Sequence, residues 1–228
     1  MNRSLLNFLV ILMHKLVSLV FKERLLIRKV NLVLGFSLIL AACITAQPKN
    51  ITDVCAIFEE NRNWYESASS SEDRWGIPIG VNMAVIYQES SFRARAKPER
   101  KRILWVLPGP RASSAYGYAQ ALDSTWDDYK SMSGRTRASR SDFNDAIDFV
   151  GWYNANSVRI NNIATTDARN LYLAYHEGNT GFQRRSFNDK GWLIEAANRV
   201  QANSERFNRQ LGGCVKELEK SWLRRLFS

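Results

Sequence analysis

The chain has 228 residues, 45% of them hydrophobic and 24% charged, which suits one domain with a full core and excludes a disordered or fibrous chain. Its net charge is +10, but residues 1–42 hold six basic residues and one acidic one, leaving 26 and 21 beyond. That moderate excess suits an anionic polymer or a membrane surface and matches no nucleic-acid-binding module, so no nucleic-acid partner is expected.

Residues 30–42, VNLVLGFSLILAA, form an apolar run behind the basic stretch KERLLIRK. The run is too short to span a bilayer comfortably and is arranged like a secretory signal. It closes on LAAC, residues 40–43, which resembles the bacterial lipoprotein signal. That resemblance implies cleavage before Cys43 and a diacylglyceryl anchor on it. The mature protein would then face the periplasm from a bacterial membrane. Ile44, in place of an aspartate, resembles outer-membrane sorting. A plain signal peptide or an uncleaved helix is the alternative. Residues 1–20 include the apolar stretch LLNFLVILM and read as an over-extended start or a second membrane segment. Export would leave Cys55 and Cys214 as an even pair in an oxidising compartment, expected to close a disulfide over nearly the whole domain; two buried free thiols are the alternative.

After a short polar tether, residues 43–52, the pattern is mostly helical. A first helix is expected over about 53–74, with Ile57, Trp64 and Tyr65 on its apolar face. WGIP breaks it, and Pro78 is placed to open the next helix, which carries Met83, Ile86, Tyr87 and Ser90 at i, i+3, i+4 and i+7. Residues 97–114, KPERKRILWVLPGPRASS, read as a Pro/Gly-rich basic loop with an apolar centre: a lid, a ligand-stacking edge, a membrane contact or a packed surface loop. Further helices are expected around 122–131, 142–156, 166–177 and 189–211. The domain is thus expected to be mainly α over 53–214, followed by a basic amphipathic tail, 215–228, that packs on it or lies on a membrane.

The chemistry narrows by exclusion. Beyond residue 42 there is one histidine, His176, and no cluster spaced for zinc. There is no phosphate loop or dinucleotide fingerprint, so no metal or cofactor is expected. QESSF lacks the glycines of a serine nucleophile elbow. Glu89 stands out because it ends an otherwise apolar helix. Burial there would raise its pKa toward that of a general acid, whereas an exposed Glu paired with Arg93 or Arg95 is the plain alternative.

Three segments in order change that balance: QES at 88–90, SAYGYAQ at 114–120 and LAYHEG at 173–178. The set resembles the lytic transglycosylases of the soluble, goose-type-lysozyme-like fold, over roughly residues 55–214. These carry Glu-Ser, Gly-Leu-Met-Gln and Ala-Tyr-Asn-x-Gly segments in that order. The resemblance implies a lysozyme-like fold and, as substrate and partner, the glycan strands of peptidoglycan. Glu89 would protonate the leaving glycosidic oxygen and then take the proton of the muramic acid C6 hydroxyl, closing a 1,6-anhydro ring. It also implies substrate contacts from Ser90, Gly117, Tyr118, Gln120, Tyr175, His176, Glu177 and Gly178. Ser90 would bind substrate or orient Glu89, Tyr175 would hold its hydroxyl beside the sugar, and Tyr118 reads equally as a core aromatic.

The chain departs from the pattern at Tyr118-Ala119, which replace Leu-Met, and at His176, which replaces Asn. Glu177 adds a second acid that could bind glycan, pair with an arginine or activate water. A water-using muramidase of the same fold and a non-catalytic peptidoglycan-binding lipoprotein are the rival readings.

Overall fold

The computed structural model describes residues 46–103 and 107–226. The proposed leader 1–42, the lipidation site Cys43 and the loop centre Leu104, Trp105 and Val106 lie outside the described residues. Among the described residues, seven helices and one hairpin follow in chain order. Asp53 caps α1 (Val54–Glu60), its carboxylate accepting from the Cys55 and Ala56 amides at 2.9 and 3.2 Å. The single helix expected over 53–74 is two, because Asn61 leaves helical geometry at φ −127°, ψ 72°. Its amide closes α1 on Ile57 O at 3.0 Å, while its carbonyl starts α2 (Arg62–Trp75) by accepting from Trp64 at 2.8 Å. Trp64 and Tyr65 then turn into the core.

Gly76 ends α2 in the left-handed region at φ 70°. Pro78 precedes α3 (Ile79–Ser90), in which every residue from Ile79 to Ile86 is buried. A helix apolar all round belongs at the centre of a fold. α3 accordingly packs against α2, α5 (Phe143–Asn161), α6 (Ala168–Gln183) and, most extensively, α7 (Gly191–Leu226). α4 (Asp123–Ser133) lies against α5.

Within the loop expected over 97–114, β1 (Arg100–Ile103) pairs antiparallel with β2 (Leu107–Arg111), with Arg100 opposite Arg111 and Ile103 opposite Leu107. Pro108 and Pro110 hide this hairpin from a strand reading. A two-stranded ribbon tolerates them because each strand is an edge. α7 runs unbroken through residue 214 to Leu226, and Leu218 is buried on the domain, so the tail expected over 215–228 continues the last helix.

Two features hold the helices in register. Trp64 stacks on Phe143 with centroids 3.9 Å apart, joining α2 to α5. The buried carboxylate of Asp148 accepts from Tyr129 Oη at 2.6 Å, Trp75 Nε1 at 2.9 Å and Arg74 Nη1 at 3.2 Å, tying α2 and α4 to α5. Cys55 and Cys214 are joined by a disulfide, Cα atoms 6.1 Å apart, which links α1 to α7 across 159 residues of chain.

Candidate active site

Glu89 is carried on the last turn of α3, where the buried helix meets a cleft of about 430 Å³. Ser91 and Phe92 adopt positive φ, 51° and 60°, and Phe92 is fully buried, so the chain turns away and leaves the carboxyl at the cleft wall. One side of Glu89 is open to the cleft and the rest is enclosed. Burial pushes its carboxyl up to about 7, opposed in part by a hydrogen bond from Tyr172. No second carboxylate contributes to that rise.

Tyr172 is missing from the motif reading. Its sequence signal is the i, i+3 spacing to Tyr175, which puts both rings on one face of α6. Burial, and then the Glu89 charge, raise both phenols above their ordinary value, so both stay protonated donors. Tyr175 lines the cleft, and its hydroxyl donates to Ala119 O at 2.6 Å. Tyr153 and Phe149 from α5, and Leu122 and Thr125 at the start of α4, also line the cleft, with Ser113, Ala115 and Ala121.

The segment at 117–120 divides in two. Gln120 faces the cleft, in the left-handed region at φ 48°. Its Nε2 donates to Ala96 O at 3.0 Å and Gly117 O at 2.8 Å, so the amide oxygen is the polar end left for a ligand. Gly117 and Tyr118 lie behind the wall. Gly117 has φ 80°, and a Cβ there would come within 2.0 Å of Arg140 O. Tyr118, 1% exposed, packs edge-on against Trp64 and Phe143 at 5.5 and 5.6 Å. Ser90 is also buried and donates to Ile86 O at 3.2 Å, inside its own helix. Each of the three has protein for its neighbours: Ser90 bonds its own helix, Tyr118 takes its core-aromatic alternative, and Gly117 lies against backbone.

His176, Glu177 and Gly178 form the opposite wall. Gly178 kinks α6 at φ 74°, ψ 159°, a conformation open in practice only to glycine. Desolvation pushes the Glu177 carboxyl up, but hydrogen bonds from Lys190, Ser186 and His176 outweigh it and hold the group at about 2. Lys190 Nζ lies 2.8 Å from both carboxylate oxygens, and His176 Nδ1 3.1 Å from one. Glu177 is therefore an ionised clamp between the kinked helix and the start of α7. Among the described residues no cluster of three or more His, Cys, Asp or Glu is placed to hold a metal ion.

The site thus offers one carboxyl able to carry a proton at neutral pH, a phenol bonded to it, and a polar-edged cleft. Among the described residues no helix is long and apolar enough to cross a membrane. No curated protein matches the chain. A family model for the transglycosylase SLT domain matches residues 31–214, a span that takes in Glu89, Gln120 and the 174–178 wall. The chain belongs to that family, and is a lytic transglycosylase acting on peptidoglycan.

Proposed function

We propose that the protein cleaves the β-1,4 bond between N-acetylmuramic acid and N-acetylglucosamine, with Glu89 as general acid and then general base. The observation that carries this reading is the carboxyl at the cleft wall, raised to about 7 by burial with no second acid contributing. A carboxyl with that pKa is part protonated at neutrality and can give its proton to the leaving glycosidic oxygen as the C1–O bond breaks. The resulting carboxylate takes the proton of the muramic acid C6 hydroxyl, and the C6 oxygen bonds to C1 to close the 1,6-anhydro ring. One residue serves both steps, so the water-activating carboxylate of a two-acid glycosidase has no task.

Tyr172, bonded to Glu89, steadies the carboxylate between the two steps. The Gln120 amide oxygen and His176 offer polar contacts to the sugars' acetamido and hydroxyl groups. Glu177 supports the wall, because its carboxylate is committed to Lys190, Ser186 and His176. We further propose that Cys43 is lipidated and holds the domain at the periplasmic face of the outer membrane, a reading supported by the basic flank, apolar run and LAAC segment for the anchor and by Ile44 for the membrane.

Digestion of purified sacculi followed by mass analysis tests the reaction. Products ending in 1,6-anhydro-muramic acid, lighter by one water than hydrolytic products, are expected. Reducing-end muramic acid alone would instead establish a muramidase.

A further inference from the structure

Trp192, the second residue of α7, is 58% exposed, the aromatic side chain most open to solvent among the described residues. An isolated exposed aromatic is ordinary on a protein surface. This one is tied to the cleft. Its ring meets His176 edge to face, centroids 5.2 Å apart at 76°, and His176 lines the cavity that Glu89 enters.

His176 is itself held. Its Nδ1 lies 3.1 Å from the Glu177 carboxylate, which leaves Nε2 as the other polar edge of the ring. Lys190, two residues before Trp192, locks Glu177 in turn. The indole thus meets one wall of the site through His176, and it lies outside the buried core.

A rigid aromatic face beside a polar edge suits one class of ligand. In a β-linked N-acetylhexosamine the ring substituents are equatorial, so a pyranose face presents axial C–H groups. These carry slight positive charge and pack on the negative face of an indole, while hydroxyl and acetamido groups at the ring edge seek hydrogen bonds. We infer that Trp192 and His176 form a saccharide platform at the edge of the cleft, an additional subsite that stacks one pyranose of the glycan strand. The identity of that ligand rests on the peptidoglycan reading above.

The test is binding without turnover, in the full chain carrying Glu89→Gln, with chitohexaose as probe and calorimetry as readout. Trp192→Ala is expected to weaken chitohexaose binding about tenfold, and Trp192→Phe to recover most of the loss. The unfolding midpoint should stay in place, since an exposed indole supports little of the core. Unchanged affinity in Trp192→Ala, or no chitohexaose binding with Trp192 present, overturns the subsite. It is equally overturned if Trp192→Ala keeps its chitohexaose affinity and loses binding to anionic phospholipid vesicles, which would make the indole a membrane contact. Should the wild-type protein make no anhydro product while Trp192 still governs chitohexaose affinity, the subsite stands and the proposed reaction falls.

Discussion

Replacing Glu89 by glutamine separates the cost of burying this carboxyl from its use. The rise from the ordinary 4.5 to about 7 corresponds to ~3 kcal/mol in favour of the neutral form. The folded chain holds the proton more tightly than the unfolded chain, so between pH 4.5 and 7 it binds protons that the unfolded chain has released. Stability therefore falls as pH rises through that window, and above about pH 7 the full cost is present. Glutamine is neutral at every pH and escapes that cost. Allowing for screening on the side open to the cleft, Glu89→Gln should be ~1–3 kcal/mol more stable than wild type at pH 8, with the gap closing below pH 4.5. Urea unfolding at pH 4.5, 6 and 8 reads the gap directly. The same variant should lose about 10²–10⁴-fold in sacculus turnover, the usual worth of a general acid. Wild-type activity should fall tenfold per pH step above about 7, where the acid form of Glu89 becomes scarce. A stability gap that does not vary with pH, or a variant less stable at pH 8, would refute the claim that burial raises this carboxyl.

Glu177→Gln should show the opposite dependence. The folded pKa of about 2 lies below the ordinary 4.5, so wild type holds an advantage of up to ~3 kcal/mol above pH 4.5 that shrinks as pH falls toward 2; chemical denaturation across that range measures it. Gly117→Ala should cost roughly 2–4 kcal/mol and lower the melting temperature, because its Cβ would meet Arg140 O at 2.0 Å from a backbone at φ 80°. Its effect on turnover should follow the loss of folded protein, a point settled by assaying below the melting range. Cys55→Ser/Cys214→Ser should lose up to about 5 kcal/mol in the chain-entropy model, given the 159-residue separation, and a thermal melt with and without reductant reads that loss.

Most of the helical order of this protein was legible in its sequence. Apolar spacing located the helix that ends at Glu89, and Pro78 located its start, because both are local consequences of side-chain volume and backbone geometry. Local rules also concealed some features. Asn61 splits a continuous apolar pattern by capping with its own backbone, and Pro108 and Pro110 disguise a hairpin. The last helix outruns its expected end, since continuation to Leu226 depends on what packs beneath it.

The sequence by itself determined which segments come together at the cleft: Glu89 and the segments around Gln120 and Tyr175 carry their order in the chain. Only the tertiary structure decided which of their residues face that cleft. Ser90, Gly117 and Tyr118 sit in the same motifs as Glu89 and Gln120 yet turn to the core, a choice made by helix rotation and by positive φ at Gly117 and Gln120. Tyr172 reaches Glu89 with no role in the motif reading, and Trp192 meets His176 from the start of α7, each brought there by helices whose packing involves long-range contacts. A general acid needs a residue type, which a sequence displays. Its pKa near 7 needs exclusion of water from several sides at once, which only the folded chain supplies.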